Sequence, residues 1–143
     1  MKTKMILKDQ NGGAAVEFAL ILPLLIVLLF GIVEFGLLTY NKQIITNASR
    51  EGARAGIVIR NPIRLTDAQI QAVAIKYAQK YLVTFGSGTL SFNPAITPPE
   101  PRSGALLGTN LTFTVEYPYD FLVLSAFGFG QRTLRAQTIM KME

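Results

Sequence analysis

"NGGAAVEFALILPLLIVLLFGIVEFG", residues 11–36, decides how the rest of the chain is read. Residues 18–33 carry no charge, yet a glutamate bounds the run at each end, Glu17 and Glu34, and a glycine pair, Gly12 and Gly13, stands just upstream. A helix needs about 20 apolar residues to cross a hydrocarbon core of about 30 Å. Residues 14–38 supply that length once the two carboxylates are accommodated. The run is too long and too even for a secretory signal, and no small-x-small cleavage site follows at the usual distance. A retained membrane helix is therefore expected, with its transmembrane part at about residues 18–38. Lys2, Lys4 and Lys8 before the run balance Lys42, Arg50 and Arg54 after it, so the charge rule gives a tie. The long following segment settles the orientation, because long domains translocate largely regardless of charge. The expected topology is single-pass, with the N-terminus cytoplasmic and the C-terminal part outside.

A carboxylate at the bilayer centre costs about 2.5–3.5 kcal/mol even on the lenient insertion scale, and less near the edge. Glu34 can sit at the outer interface, with Tyr40 as an anchor, or can meet a partner helix. Glu17 follows Gly13 by four residues, in the expected first helical turn, where the macrodipole favours negative charge. The two carboxylates are separated by about 25 Å along the axis and about 100° around it, so they cannot form a catalytic pair. Pro23 leaves the carbonyl of Ala19 without its donor and implies a kink or local adjustment. Gly12 and Gly13 resist helix formation and leave a flexible, protease-accessible linker before the span.

Gly12-Gly13-Ala14-Ala15-Val16-Glu17-Phe18, followed by a long apolar helix, resembles the cleavage region of type IV prepilins and pseudopilins. More narrowly, this run together with "NASREGARAG", residues 47–56, resembles TadE-like proteins of the Tad (Flp, type IVc) pilus system. The resemblance covers about the first 60 residues, and beyond them only the general pattern. It implies processing at Gly12 and Gly13 by a membrane-embedded prepilin peptidase, with the cut after Gly12 making Glu17 the fifth residue of the mature chain. It also implies that Glu17, with Phe18 beside it, neutralises the new amino terminus of a neighbouring subunit. Flp major pilins have Glu-Tyr where this chain has Glu17-Phe18, which points to the pseudopilin or minor-pilin branch. The implied role is a membrane-anchored structural subunit supporting assembly of an adhesive pilus used in surface colonisation. Its implied partners are the membrane, other pilins or pseudopilins in a homo- or hetero-oligomer, and the assembly platform. The implied location is the bacterial inner membrane, with possible incorporation into an extracellular pilus. The other reading of the same residues is an uncleaved single-span protein displaying a scaffolding or binding head.

Composition supports a structural role. The chain has 143 residues, no Cys and no His, which removes the usual zinc ligands, disulfides, thiol nucleophiles and the commonest general base. No enzyme activity, cofactor or metal is expected. The net charge of +5 comes from 14 Lys and Arg against 9 Asp and Glu, spread thinly rather than clustered. With no basic patch interleaved with aromatics, nucleic acid is not expected as a partner.

Past the membrane the helical spacing continues through Ile44, Ile45, Ala48, Gly52, Ala55, Gly56 and Ile59. Ala48, Gly52 and Gly56 form a small-xxx-small ladder that admits another backbone, either this chain's own sheet or a second subunit. Asn61-Pro62 ends the helix. Thr66-Asp67-Ala68-Gln69 reads as a capping box opening a second helix with an apolar stripe of Ile70, Val73, Ala74, Tyr77, Ala78 and Tyr81. A short strand is expected at residues 89–93, then a proline-rich connector at 94–104. Residues 110–119 and 131–142 alternate as half-buried strands. Between them, "DFLVLSAFGFG", residues 120–130, can be a buried helical turn, a membrane-surface loop or a subunit contact, and packing under the sheet is the favoured expectation. The expected fold is α+β. Residues 1–12 form a cytoplasmic prepilin-like leader and 13–60 a long helix, transmembrane then amphipathic. Residues 61–143 form a periplasmic or extracellular head of one further helix and a three-stranded, mainly antiparallel sheet.

Overall fold

The structure, a computed structural model, describes residues 11–58, 64–84, 90–91, 96–99 and 107–142. Its first element, α1, runs from Asn11 to Ile57, 47 residues, or about 70 Å at 1.5 Å per residue. That is more than twice what a bilayer core needs, so much of the helix must find cover elsewhere. The helical assignment is unbroken through Pro23 and includes Gly12 and Gly13, so the expected non-helical glycine linker is replaced by regular structure. Up to residue 33 α1 is almost wholly exposed, whereas from Glu34 onward one face is covered by the head. Arg64 closes the far end by donating from Nη1 to the carbonyl of Ile57, where a cation also meets the negative pole of the helix. The expected stop at Asn61-Pro62 lies outside the described residues.

The second helix, α2, spans Asp67–Tyr81. Its capping box forms as its residues dictate. Gln69 N–H donates to Thr66 Oγ1 at 3.3 Å, and Thr66 N–H donates to Gln69 Oε1 at 3.0 Å. Of the apolar stripe, Ile70, Ala74 and Ala78 are buried, while Tyr81 stays exposed and offers its carbonyl to the Tyr40 hydroxyl at 3.1 Å.

Strands β1, Asn110–Tyr119, and β2, Arg132–Lys141, form an antiparallel ladder from Asn110 opposite Lys141 to Tyr119 opposite Arg132. The alternation holds: Leu111, Phe113, Val115, Tyr117 and Tyr119 are buried against the helices, joined by Leu134, Ala136 and Met142. On the other face Arg135 faces Glu116 at 3.5 Å across the ladder. A two-stranded ribbon is marginal by itself in water, and here α1 and α2 supply the second layer.

Among the described residues the sheet has two strands, not the three expected. Of the expected strand at 89–93 only residues 90 and 91 are described, and Ser91 pairs with Glu116 of β1 through an isolated bridge, while a second isolated bridge joins Thr97 to Thr112. Between the two bridges lie six steps on one side (97 − 91) and four on the other (116 − 112). A segment that gains two residues over so short a distance cannot stay in register, and Pro94 and Pro98 lack the donors a ladder requires. The two bridges still cover part of the free edge of β1.

Candidate functional site

The exposed half of α1 is the first part of the site. An 18-residue window of the helix has a mean hydropathy of 2.8 with none of it buried, enough in length and composition to cross a membrane. Gly12, Gly13, Gly31 and Gly36 have nothing within 4 Å of where a side chain would project, so this surface is open to lipid or to another helix. Glu17 and Phe18 are exposed there, and Glu17 makes no hydrogen bond or ion pair among the described residues. Because residues from Asn11 onward are already helical, Glu17 lies beyond the first turn of α1. The macrodipole acts within the first turn, so it does not account for a carboxylate at that position.

Glu34 is in a different situation. It is 2% exposed, and its carboxylate receives three consecutive backbone N–H groups from the β1–β2 connection. Leu122 donates to Oε1, while Val123 and Leu124 donate to Oε2 at 3.1 and 3.0 Å. These amides stand at the start of a short 3-10 helix, Leu124–Phe127, whose orphan donors suit an anion. Glu34 therefore staples residues 120–131 to the point where α1 leaves its exposed stretch. The Tyr119 hydroxyl lies 3.5 Å from the Glu34 carbonyl. Burial, then the nearby carboxylate of Glu34 and the Tyr117 phenol, raise the Tyr119 pKa above the ordinary tyrosine value. The phenol thus stays neutral at physiological pH. Glu34 is neither lipid-facing nor open to a second chain, and the sequence reading did not contain its partners, which lie 88–90 residues away.

The same connection overturns the expectation that residues 120–130 pack under the sheet. The 3-10 helix has no buried residue, and Leu122, Phe127 and Phe129 are more than half exposed. Its turn closes on Gly128, whose φ of 84° favours glycine.

The small-residue ladder belongs to the interior of the chain. Ala48, Gly52 and Gly56 are all buried. A methyl placed on Gly52 would lie 2.9 Å from Cδ1 of Phe113 and nearer still to Cε1, and one on Gly56 would lie 2.7 Å from Cδ1 of Ile70. Of the two alternatives the ladder allowed, its own head occupies the groove. Two polar contacts that the sequence did not announce fix the same face. Fully buried Asn41 donates from Nδ2 to the Val83 carbonyl at 2.7 Å and accepts from the Val83 N–H at 3.1 Å. Ser49 Oγ meets Thr138 Oγ1 at 2.6 Å. Lys42 Nζ also donates to the Arg135 carbonyl on β2. Replacing Asn41 by Leu leaves the N–H and carbonyl of half-buried Val83 without their partner. The expected loss is about 2–4 kcal/mol of unfolding free energy, measurable by denaturation of the full chain in detergent.

A cleft of about 420 Å³ lies between α2 and β1, with Ala78, Leu82, Leu90 and Tyr117 among its walls. Among the described residues its one ionisable lining group is the Tyr117 phenol, raised in pKa by burial and then by Asp120. Among the described residues no three acidic, His or Cys side chains come together.

Residues 12–54 match the family model of TadE-like proteins. The match spans 43 of the 143 residues. No curated protein and no solved structure matches the chain. The TadE-like segment lies wholly within α1, so it carries Gly12, Gly13, Glu17, Phe18, Glu34, Ala48 and Gly52 but neither strand. The TadE-like helix and the partners that clasp Glu34 thus come from different parts of the chain. A TadE-like segment together with a long apolar N-terminal helix fits a Tad pilus-associated membrane protein.

Proposed function

We propose that the protein is a pseudopilin or minor pilin that supports assembly of a Tad pilus, acting as a structural subunit rather than an enzyme. The observation that carries this reading is Glu17, without a partner among the described residues, on the exposed apolar half of α1 inside the TadE-like segment. A lone carboxylate in a low-dielectric setting is costly, and a cation from a neighbour recovers much of that penalty. The cation that fits is the amino terminus created by prepilin peptidase between Gly12 and Gly13. Both glycines are helical here, but glycine favours the helix less than alanine by about 1 kcal/mol per residue, so local unwinding at the pair is cheap. Cleavage would also make Glu17 the fifth residue of a new N-terminus. The exposed helix would then pack against other pilins or pseudopilins and the assembly platform in the inner membrane, with the head outside and adhesion as the outcome.

Intact-mass measurement of protein extracted from wild-type membranes tests the processing step. The expected species lacks residues 1–12, and Gly12→Val accumulates the full-length chain. A full-length N-terminus in wild-type cells ends this reading. Glu17→Ala is expected to be processed normally yet to be lost from sheared pilus fractions and from complexes with other subunits.

The second reading, an uncleaved single-span protein with a scaffolding head, is favoured by one observation: Asn11, Gly12 and Gly13 are all helical, so the glycine pair lies inside α1. On that reading the mass stays full-length and Glu17→Ala leaves complex formation unchanged.

A further inference from the structure

We infer that the β1–β2 connection, residues 120–131, is a second membrane contact, with Leu122, Phe127 and Phe129 entering the lipid headgroup region where α1 emerges. The inference rests on reading the exposed half of α1 as the bilayer span. Glu34 lies 21 residues after Gly13 on the same helix, about 32 Å along its axis. That distance matches a hydrocarbon core of about 30 Å. With Gly13 at one face of the bilayer, Glu34 stands at the other. The three amides held by its carboxylate then place the connection at that same level.

The chemistry of the connection suits lipid more than water or a polar protein surface. Its only charge, Asp120, sits at the neck and accepts from Gln131 at 2.8 Å, so the tip at 121–130 carries none. Leu122, Phe127 and Phe129 project outward while Phe121 ties them to the core, ring against ring with Tyr119 at 5.4 Å and with Phe129 at 6.3 Å. Backbone entering a membrane must have its polar groups satisfied from within. Here the amides of Leu122, Val123 and Leu124 are taken by Glu34, and those of Ala126, Gly128 and Phe129 by carbonyls of the same turn. Arg132, exposed at the first position of β2, follows directly and can reach lipid phosphates. An uncharged aromatic tip with six of its backbone donors bonded within the protein and a cation behind it matches an interfacial element. It is also continuous with the apolar surface of α1.

The absence of cysteine allows single-site labelling of the full chain in vesicles of phosphatidylethanolamine and phosphatidylglycerol. Bimane on Phe127→Cys or Leu122→Cys is compared with bimane on Phe30→Cys in the span and on Lys76→Cys on the exposed side of α2. Lipids brominated near the top of their acyl chains are expected to lower the Phe127 and Leu122 signals about twofold, as expected for side chains at the headgroup boundary. They should also quench Phe30 and leave Lys76 unchanged. Adding Glu34→Ala is expected to remove quenching at Phe127 but not at Phe30. Quenching at Phe30 with Phe127 and Leu122 at the Lys76 level overturns the inference while the span stands. Absence of quenching at Phe30 itself overturns the span and the inference with it. Protection of Phe127 from aqueous iodide without bromolipid quenching, rising with the protein-to-lipid ratio, marks a subunit contact and overturns the lipid assignment.

Discussion

Glu34→Ala is expected to free residues 120–131 from α1 and to raise amide exchange at Leu122, Val123 and Leu124 by about two orders of magnitude. The argument starts from the three N–H donors that converge on one carboxylate. Hydrogen bonds to a charged acceptor contribute about 1.5–3 kcal/mol each. The full sum is not recovered on mutation, because a detached loop can turn its amides to water. About 3 kcal/mol of local opening free energy remains as the expected loss, which corresponds to the stated change in exchange. Glu34→Gln keeps a single carbonyl oxygen and is expected to fall between the two. Hydrogen exchange read by mass spectrometry on the full chain in micelles gives the answer. Unchanged protection over 122–124 in Glu34→Ala would mean that the carboxylate does not hold the loop. Exchange within α2 should change little, because its capping box and its contacts with α1 are remote from Glu34.

Gly52→Val carries the second large effect. Any side chain at 52 enters the volume of the Phe113 ring, and Phe113 is fully buried at the centre of β1. The ring is clasped by helix and sheet and cannot swing out as a flexible side chain could. Overpacking of this kind costs about 1–3 kcal/mol for the added methyl of alanine. That exceeds the helix-propensity gain of at most about 1 kcal/mol. Valine, with two further carbons, is expected to undock the head from α1 and to abolish a cooperative thermal transition. Gly52→Ala combined with Phe113→Leu should regain part of the loss, since the smaller residue returns the space. A Gly52→Val chain that melts like wild type would refute the close packing of α1 on β1.

Local signals were legible in the sequence and distant ones were not. The capping box at Thr66 and Gln69 is a four-residue motif, and it forms as written. The alternation in residues 110–119 and 131–142 records burial on one face of a strand, and the ladder follows it. The apolar run of α1 and the TadE-like motif inside it are likewise continuous in the chain. The third strand misled because a short apolar segment between turn signals fixes neither register nor partner, and here the offset between the Ser91 and Thr97 bridges breaks the ladder. Residues 120–130 misled for another reason: hydrophobicity alone does not say whether a side chain leaves water for a core or for a surface. Glu34 and Asn41 could not be read, because their partners are amides and carbonyls of the main chain 42–90 residues away. No side-chain pattern records a backbone partner. Glu17 is the converse. Its position was plain from the sequence, but only the helical residues ahead of it, from Asn11 onward, removed the simplest electrostatic account of it.

Because the head is fastened to α1 at Glu34, Asn41, Gly52 and Ile57, it cannot swivel about the helix that carries it. Whichever side of the exposed stretch meets a neighbouring helix also fixes the compass bearing of the head, as a key's bow turns with its blade. One residue inserted just ahead of Glu34, between Gly31 and Val33, would advance that bearing by about 100° while lifting the head about 1.5 Å. The packing of apolar surfaces inside the membrane and the faces that the heads present to each other outside it are therefore set by a single rotational phase.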